Sequence, residues 1–279
     1  MPLSSHNLVT WVIQTNLINQ DQSKRVWEGA LASGAQVREA IVIPFQDTLD
    51  NEEDLSDLSG LVIPYGSCKL SKLAQHQNWL GDCYNPQTFR VDVWGDNRSD
   101  MLNQSPFIME AGQTKDFFKS YPSDQLWFIR PVHDLKDFAG TIAPTSEIIK
   151  WMESVYSGNF SFSKNTLVAV SPPQKILAEA RFFIVDNNVV DGSFYRQNQI
   201  LKSSHVACPI LLEQAQQLAN KWLPHPCCVM DVAQTENGLK VIEFNTINSS
   251  GFYEHDIEKV VSAMTSYCAK LAPKKNLRL

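Results

Sequence analysis

The chain has 279 residues, of which 43% are hydrophobic and 19% are charged, a composition typical of a folded globular protein. The length favours two lobes or one large domain, with a core that needs no disulfide or zinc for stability. The formal net charge of −6 argues against a nucleic-acid-binding protein that relies on bulk positive charge.

The six cysteines form no CxxC pair, and the only tight group is His225-Pro226-Cys227-Cys228. Structural zinc needs well-spaced pairs of ligands, so we expect reduced thiols that pack as small apolar groups. The N-terminus lacks a basic region followed by an apolar stretch, and no apolar run approaches the roughly 20 residues that span a bilayer. We therefore expect a cytoplasmic protein with no membrane partner.

The first 80 residues alternate short apolar runs with helical patterns. The predicted strands cover 8–13, 40–44 and 60–64, and the predicted helices cover 23–32 and 69–78. This alternation indicates a small parallel α/β layer. Turn residues then dominate from 80 to 105 and mark a boundary between lobes.

The rest of the chain reads as antiparallel hairpins with helices between them. The predicted strands cover 126–131, 166–170, 176–185, 189–196, 227–234 and 239–245, and the predicted helices cover 145–156, 211–222 and 256–271. Hairpins behind an α/β layer indicate the α+β class.

The strongest chemical signal is the hairpin VMDVAQTENGLKVIEFN, in which Asn237-Gly238 is a favoured turn pair. A two-residue loop at Asn237-Gly238 would place Asp231 and Glu243 on opposite faces. A three-residue loop at 236–238 would pair Asp231 with Glu243 and place Asn245 on the same face. We favour the second register because it forms one continuous apolar face. That face comprises Met230, Val232, Ile242 and Phe244.

Two directly opposed carboxylates repel each other unless a cation or a proton lies between them. Two carboxylates with a side-chain amide oxygen are a hard-oxygen ligand set that suits Mg²⁺, usually shared with phosphates and water. Asp231, Glu243 and Asn245 are therefore candidate magnesium ligands. The alternative interpretation is a solvated polar face on an edge hairpin.

Basic side chains provide a second signal. Arg130 lies near the end of the strand LWFIRP, and Lys136 follows six residues later beside a glycine-containing turn. Such groups suit phosphate oxygens, although basic residues at strand ends are often only solvated. Glu179-Ala180-Arg181 heads the apolar strand that ends in ARFFIV, and Arg196 ends the next strand. The alternative for Glu179, Arg181 and Arg196 is a surface ion pair.

Together these features resemble the ATP-grasp superfamily, and within it the clade named for one arginine and two lysines. The resemblance covers residues from about 105 to 255 and lies in FIRPVHDLKDFAGT, AVSPPQKILAEARFFIV, GSFYR and VMDVAQTENGLKVIEFNTINSSGFY. It implies an α+β ATP-grasp fold with ATP between a lid lobe and a core lobe. The implied division is a preface lobe at 1–80, a linker and lid lobe at 81–170, and a core lobe at 171–279.

The resemblance also implies roles for charged residues. The magnesium candidates would hold the ion on the triphosphate, and Arg130 and Lys136 would contact its phosphates from the lid. Many ATP-grasp enzymes have a lysine where this chain has Arg130. Arg181 and Arg196 would face the γ-phosphate or the substrate carboxylate, which makes Arg130, Lys136 and Arg196 the candidate catalytic cations.

Further implied contacts involve the nucleotide and the acyl phosphate. The adenine hinge would be the backbone of Val168, Ala169, Val170 and Ser171, and Lys175 and Glu179 would complete the nucleotide site. Small side chains and backbone N–H groups near the acyl phosphate would come from Asn248, Ser249, Ser250 and Gly251.

The implied activity is that of a Mg²⁺-dependent carboxylate–amine ligase that uses ATP and passes through an acyl phosphate. Its substrates would be a small-molecule or peptide carboxylate and an amine. Two alternatives stay open, a non-catalytic nucleotide-binding module and a small-molecule kinase with the same fold.

Overall fold

A computed structural model describes the chain over residues 9–17, 19–43, 48–133, 138–155, 163–197 and 200–272. Within these residues the chain forms three β-sheets and seven α-helices. A parallel α/β layer precedes two antiparallel sheets, which confirms the predicted α+β class. None of the helices in these ranges is long and apolar enough to cross a membrane.

The first sheet is parallel and has the strand order β2-β1-β3. Its elements are β1 (Thr10–Gln14), α1 (Gln20–Ala32), β2 (Gln36–Ala40), β3 (Val62–Tyr65) and α2 (Cys68–His76). Every residue of the central strand β1 is buried, as expected for a strand covered by helices, and every residue of the edge strand β3 is buried as well.

The prediction of a strand over 40–44 is wrong. The strand is the polar segment QVREA, which ends at Ala40, and in the following residues Val42 forms only an isolated bridge with Leu49. An edge strand buries little, so β2 forms from polar residues that give no apolar run. The predicted ends Leu8, Pro44 and Tyr156 lie outside the described residues.

The second sheet is antiparallel, with the order β4-β7-β5-β6. Helix α3 (Val91–Asn97) precedes it, and its elements are β4 (Phe107–Glu110), α4 (Thr114–Phe118), β5 (Leu126–Pro131), β6 (Thr141–Pro144), α5 (Thr145–Val155) and β7 (Leu167–Ser171). Alternate side chains of β5 face opposite ways: Trp127 and Ile129 pack against α5, whereas Phe128 and Arg130 face the other side.

The third sheet has the order β10-β9-β8-β11-β12, again antiparallel. Its elements are β8 (Ala178–Val185), β9 (Asn188–Gln197), β10 (Ile200–His205), α6 (Pro209–Ala219), β11 (Cys228–Thr235) and β12 (Gly238–Asn245), followed by α7 (Ile257–Lys270). Phe182 packs in a core with α6, whereas Phe183 packs in a core with α7 and α1. Arg181 lies two residues before Phe183 and therefore on the same face of β8, the face whose apolar end α7 covers.

The hairpin β11–β12 closes with a turn that differs from the prediction. Thr235 pairs with Gly238, whose φ of 91° requires glycine, so the loop is Glu236-Asn237 and not 236–238. A bulge then inserts Ile242 between the Val232–Val241 pair and the next pair, which shifts the register by one residue.

The bulge has two consequences. It pairs Asp231 with Glu243, so the favoured register is confirmed at the candidate metal ligands. It also reverses the predicted directions of two neighbouring side chains. Val241 is fully buried in the core, and Ile242 lines the cleft. The predicted apolar face is therefore wrong at Ile242, because two consecutive residues oppose one partner at a bulge.

Candidate functional site

A row of charged side chains crosses three neighbouring strands of the third sheet. Arg181 on β8 pairs in register with Asp231 on β11, which pairs with Glu243 on β12. The Arg181 guanidinium donates two hydrogen bonds of 2.8 Å to the two oxygens of Asp231. The side chains of this ion pair are only 12% and 3% exposed, so the pair is shielded from water.

Asn245 joins the two carboxylates of the row. Its Nδ2 atom donates to Asp231 Oδ2 at 3.2 Å and to Glu243 Oε1 at 3.1 Å. The structure therefore brings the three predicted magnesium ligands together. Turning the amide of Asn245 by half a rotation would place its oxygen beside the two carboxylates, giving three oxygen donors at one point.

The two carboxylates have opposite pKa shifts. Burial raises the pKa of Asp231 to about 6, and the nearby charge of Glu243 adds to this rise although Arg181 opposes it. Burial also acts to raise the pKa of Glu243, but Arg130, Asn245 and Arg181 outweigh it, and that pKa is lowered. Both carboxylates are thus mainly ionised at neutral pH. Nearby cations are needed to offset their negative charges.

Arg130 reaches this row from the second sheet. Its Nη1 atom lies 2.7 Å from Glu243 Oε2, and its guanidinium lies 5.4 Å from the ring centroid of Trp94. The side chain is 12% exposed and bridges strands β5 and β12 across a cleft. Lys136, the other predicted lid cation, lies outside the described residues.

A second ion pair lies beside the row, where Arg196 Nη1 contacts Glu179 Oε1 at 2.9 Å. These residues pair in register between β8 and β9, and a bulge inserts Tyr195 immediately before Arg196. Because Tyr195 is the extra residue of this bulge, its side chain points into the cleft. Its ring stacks on Tyr253 at 5.1 Å, and the Arg181 guanidinium lies 5.3 Å from the Tyr253 ring.

These groups border a cavity of about 710 Å³ between the second and third sheets. Its charged lining comprises Arg130, Glu179, Arg181, Arg196 and Glu243. Its apolar lining includes Leu102, Phe128, Phe138, Ile142, Ile176 and Ile242. The cavity thus has an apolar region and a charged region, the combination that suits a ligand with a ring and anionic groups.

The predicted hinge residues lie next to this cavity rather than in its lining. The backbone of 168–170 pairs with β4 on one side and with β5 on the other. The side chains of Val168, Ala169, Val170 and Ser171 are all buried. The lining residues that follow them are Pro173, Gln174 and Ile176.

Other predicted contacts have partners elsewhere. Lys175 forms an exposed ion pair with Glu236 at 2.7 Å. Asn248 donates 2.8 and 2.9 Å hydrogen bonds to the carbonyl oxygens of Pro64 and Gly81, so its amide fastens the core to the N-terminal part of the chain.

The residues that follow Asn248 in this loop have other partners. Ser250 is buried and donates to the carbonyl of Thr246 at 2.8 Å, while Ser249 is half-buried. The carbonyl of Gly251 accepts a 3.1 Å hydrogen bond from Arg181. Gly251, the last of the four predicted loop residues, is therefore joined directly to the row.

Several lining residues were not predicted. Phe128 had a usable signal, because the period of two in LWFIRP places it on the face of Arg130. Tyr195 and Ile242 had none, since each owes its direction to a bulge.

Residues 69–264 match the family model for an ATP-grasp domain, family 3 of the clade named for one arginine and two lysines. A comparison with curated proteins finds no match. The family match covers more than half of the chain and agrees with the resemblance that the sequence motifs carry.

Three solved structures share the fold at low sequence identity. D-cycloserine synthetase DcsG has a TM-score of 0.59 and 11% identity, over 93% of this chain and 99% of that one. D-alanine–D-alanine ligase from Bacillus anthracis, complexed with ATP, has a TM-score of 0.57 and 12% identity, over 94% and 97%. The ATP-grasp ligase PsnB, complexed with precursor peptide PsnA2 and AMPPNP, has a TM-score of 0.52 and 9% identity, over 94% and 98%.

Proposed function

Because the chain belongs to the ATP-grasp superfamily, in family 3 of the one-arginine, two-lysine clade, we propose that it is an ATP-dependent carboxylate–amine ligase. The observation that carries this proposal is the row Arg181–Asp231–Glu243 facing Arg130 across the cavity. ATP and a carboxylate repel each other, so a site that joins them needs several fixed cations. The structural neighbours named above are ligases and a synthetase, which is consistent with this activity.

We propose that Asp231, Glu243 and Asn245 hold Mg²⁺. The donor set fits, since one oxygen of each carboxylate lies within 3.2 Å of the Asn245 amide nitrogen. When bound, Mg²⁺ would neutralise the triphosphate charge and orient it. Arg130 and Arg181 neutralise the same carboxylates in the structure, so they are already placed to exchange partners with phosphate oxygens.

The nucleotide ring would occupy the apolar region of the cavity, between Phe128 and Ile142 of the second sheet and Ile242 of the third. The cavity lining favours the segment containing Pro173, Gln174 and Ile176 for hinge contacts over the paired backbone of 168–170. The triphosphate would then extend toward Arg130. Lys136 remains a proposed lid contact on the resemblance alone.

The remaining cations suit the acceptor. Arg196 is 45% exposed at the cavity rim and can exchange Glu179 for a substrate carboxylate at little cost. The acceptor oxygen would attack the γ-phosphorus while the bond to ADP breaks. An amine would then attack the acyl carbon, lose a proton and expel phosphate. Residues that position these groups matter more than a strong base.

We also propose the division into lobes at 1–80, 81–170 and 171–279. The strands of the three sheets fall in these three ranges, apart from Ser171 at the end of β7. ATP would bind between the last two lobes, with Arg130 and Lys136 on the lid. Closure of that lid would protect the acyl phosphate from water.

The test is turnover with a trapped intermediate. Purified protein is incubated with ATP, Mg²⁺, pools of carboxylic acids and hydroxylamine, which converts an acyl phosphate into a stable hydroxamate. We expect ADP and a hydroxamate that depend on an added acid, and Glu243→Gln should abolish both. Glu236→Gln, at the exposed turn of the same hairpin, is the matched control and should retain them. A stable phosphorylated product without hydroxamate would favour a kinase and contradict the proposal.

A further inference from the structure

Three metal-binding side chains meet away from the ATP cavity. Cys83 follows the first sheet, whereas His225 and Cys227 precede β11, and one ligating atom from each lies within 4.8 Å of the others. Cys83 and Cys227 are 1% and 0% exposed, and His225 is half-buried. The Cys83 thiol donates a 3.5 Å hydrogen bond to the carbonyl oxygen of Gly81.

We propose that Cys83, His225 and Cys227 bind one Zn²⁺ ion, with the fourth position open to water. The sequence prediction of simple apolar thiols overlooked this group because its ligands lie 142 residues apart along the chain, Cys83 to His225. Two thiolates and an imidazole bind Zn²⁺ in preference to Mg²⁺. A tetrahedral zinc site has ligand atoms about 3.8 Å apart, given Zn–S bonds of about 2.3 Å, so small side-chain movements suffice.

The surroundings orient these ligands. His225 Nδ1 lies 3.0 Å from the backbone nitrogen of Cys227, whose N–H it can accept, and 3.0 Å from the carbonyl oxygen of Cys227, to which it can donate. With its proton on Nδ1, the ring donates to that carbonyl and keeps a lone pair on Nε2, the arrangement common among metal-bound histidines. The backbone N–H of Cys83 donates to Asn248 Oδ1 at 2.8 Å, which fixes the Cys83 backbone from the other side.

Burial favours a metal over a redox function for these thiols. Cysteines that sense oxidants are solvent-accessible, whereas Cys83 and Cys227 are almost completely buried. A metal ion can enter past the half-buried His225. Its binding would connect the segment around Cys83 to the start of β11 and so join two parts of the chain that are distant in sequence.

The experiment is a Co²⁺ and Zn²⁺ titration of the metal-stripped full chain under reducing conditions, with excess Mg²⁺ to fill the acidic site. We expect one Co²⁺ per chain with a thiolate-to-cobalt charge-transfer band, which Zn²⁺ abolishes. Cys83→Ser and Cys227→Ser should lose the band. His225→Gln should weaken Zn²⁺ binding more than about 100-fold, beyond the loss caused by an outer-shell change.

Two control variants separate this site from other ligands. Cys208→Ser removes an exposed thiol and Glu243→Gln removes a proposed magnesium ligand, and both should bind zinc like the wild type. Circular dichroism of each variant checks folding, and His225→Gln keeps both buried thiols if the serine variants unfold. Absence of the charge-transfer band, its persistence in folded Cys83→Ser, or a Cys83–Cys227 disulfide in place of metal would overturn the proposal.

Discussion

The Arg181–Asp231 pair is buried deeply enough that its loss should be measurable as stability. Asp231→Asn leaves Arg181, which is 12% exposed, without a carboxylate partner. Removing one member of such a buried pair costs about 3–5 kcal/mol, against about 0–1 kcal/mol for an exposed pair. We therefore expect Asp231→Asn and Arg181→Met each to lower the free energy of unfolding by about 3 kcal/mol or more.

A double-mutant cycle isolates the interaction. The double variant removes both charges, so it should be destabilised by less than the sum of the single variants. Two charge-assisted hydrogen bonds of 2.8 Å predict a coupling free energy of about 1.5–3 kcal/mol. Urea unfolding followed by circular dichroism measures all four proteins.

The exposed pair Lys175–Glu236 is the matched control for this cycle. Its side chains are 72% and 66% exposed, so its coupling free energy should stay below about 1 kcal/mol. Additive effects of Arg181→Met and Asp231→Asn, or a coupling no larger than that of the control, would refute the reasoning. The expected loss of stability also makes Glu243→Gln a cleaner probe of metal binding than Asp231→Asn.

Two further predictions concern His255 and Gly140. Burial lowers the pKa of His255 from 6.5 to about 4, so its contribution to stability is present above about pH 6.5 and is lost as the pH falls toward 4. The shift corresponds to about 3 kcal/mol of stability. The unfolding free energy of His255→Gln should therefore fall less steeply than that of the wild type between about pH 7 and 4.5. An equally steep fall in both proteins would contradict this. A Cβ atom at Gly140 would lie 2.9 Å from Phe128 Cζ, so Gly140→Ala should displace that ring and weaken ATP binding about two- to tenfold, as measured by calorimetry. Gly95→Ala meets nothing within 4 Å and should bind like the wild type; equal effects of both variants would contradict the account.

The predicted pairing of Asp231 with Glu243 is correct, although the turn and the apolar face from which it was argued are not. Thr235 and Gly238 close a shorter turn than predicted, yet the bulge at Ile242 compensates by one residue. A bulge depends on the packing of neighbouring strands, so no local pattern revealed that Val241 would be buried. The same limit applies to Tyr195, which faces the cavity because of a bulge in β9.

Edge strands were the other source of error. The strands β4 and β10 carry exposed side chains at most positions, and β2 is largely polar. Such strands are held by backbone pairing with a neighbour, which leaves little periodicity in the sequence. The five predicted helices, by contrast, are all present within the described residues, because each has an apolar face at helical spacing.

Contacts between distant segments could not be predicted at all. Arg130 contacts Glu243 because β5 and β12 belong to sheets that face each other across the cleft. The meeting of Cys83 with His225 depends on the same long-range packing. Residue types and spacing therefore identified the charged groups, whereas the fold determined their partners.

The central claim is that a magnesium-bound nucleotide lies between Glu243 and Arg130, and calorimetric titration of ATP with and without Mg²⁺ tests it most directly. We predict that wild type and Glu236→Gln bind ATP only weakly without Mg²⁺ and more tightly with it. In the presence of Mg²⁺, Glu243→Gln should bind ATP at least about tenfold more weakly than the wild type, since even loss of an outer-shell partner lowers metal affinity by about that factor. Equal MgATP affinity of Glu243→Gln and wild type, or binding that ignores Mg²⁺, would contradict the account.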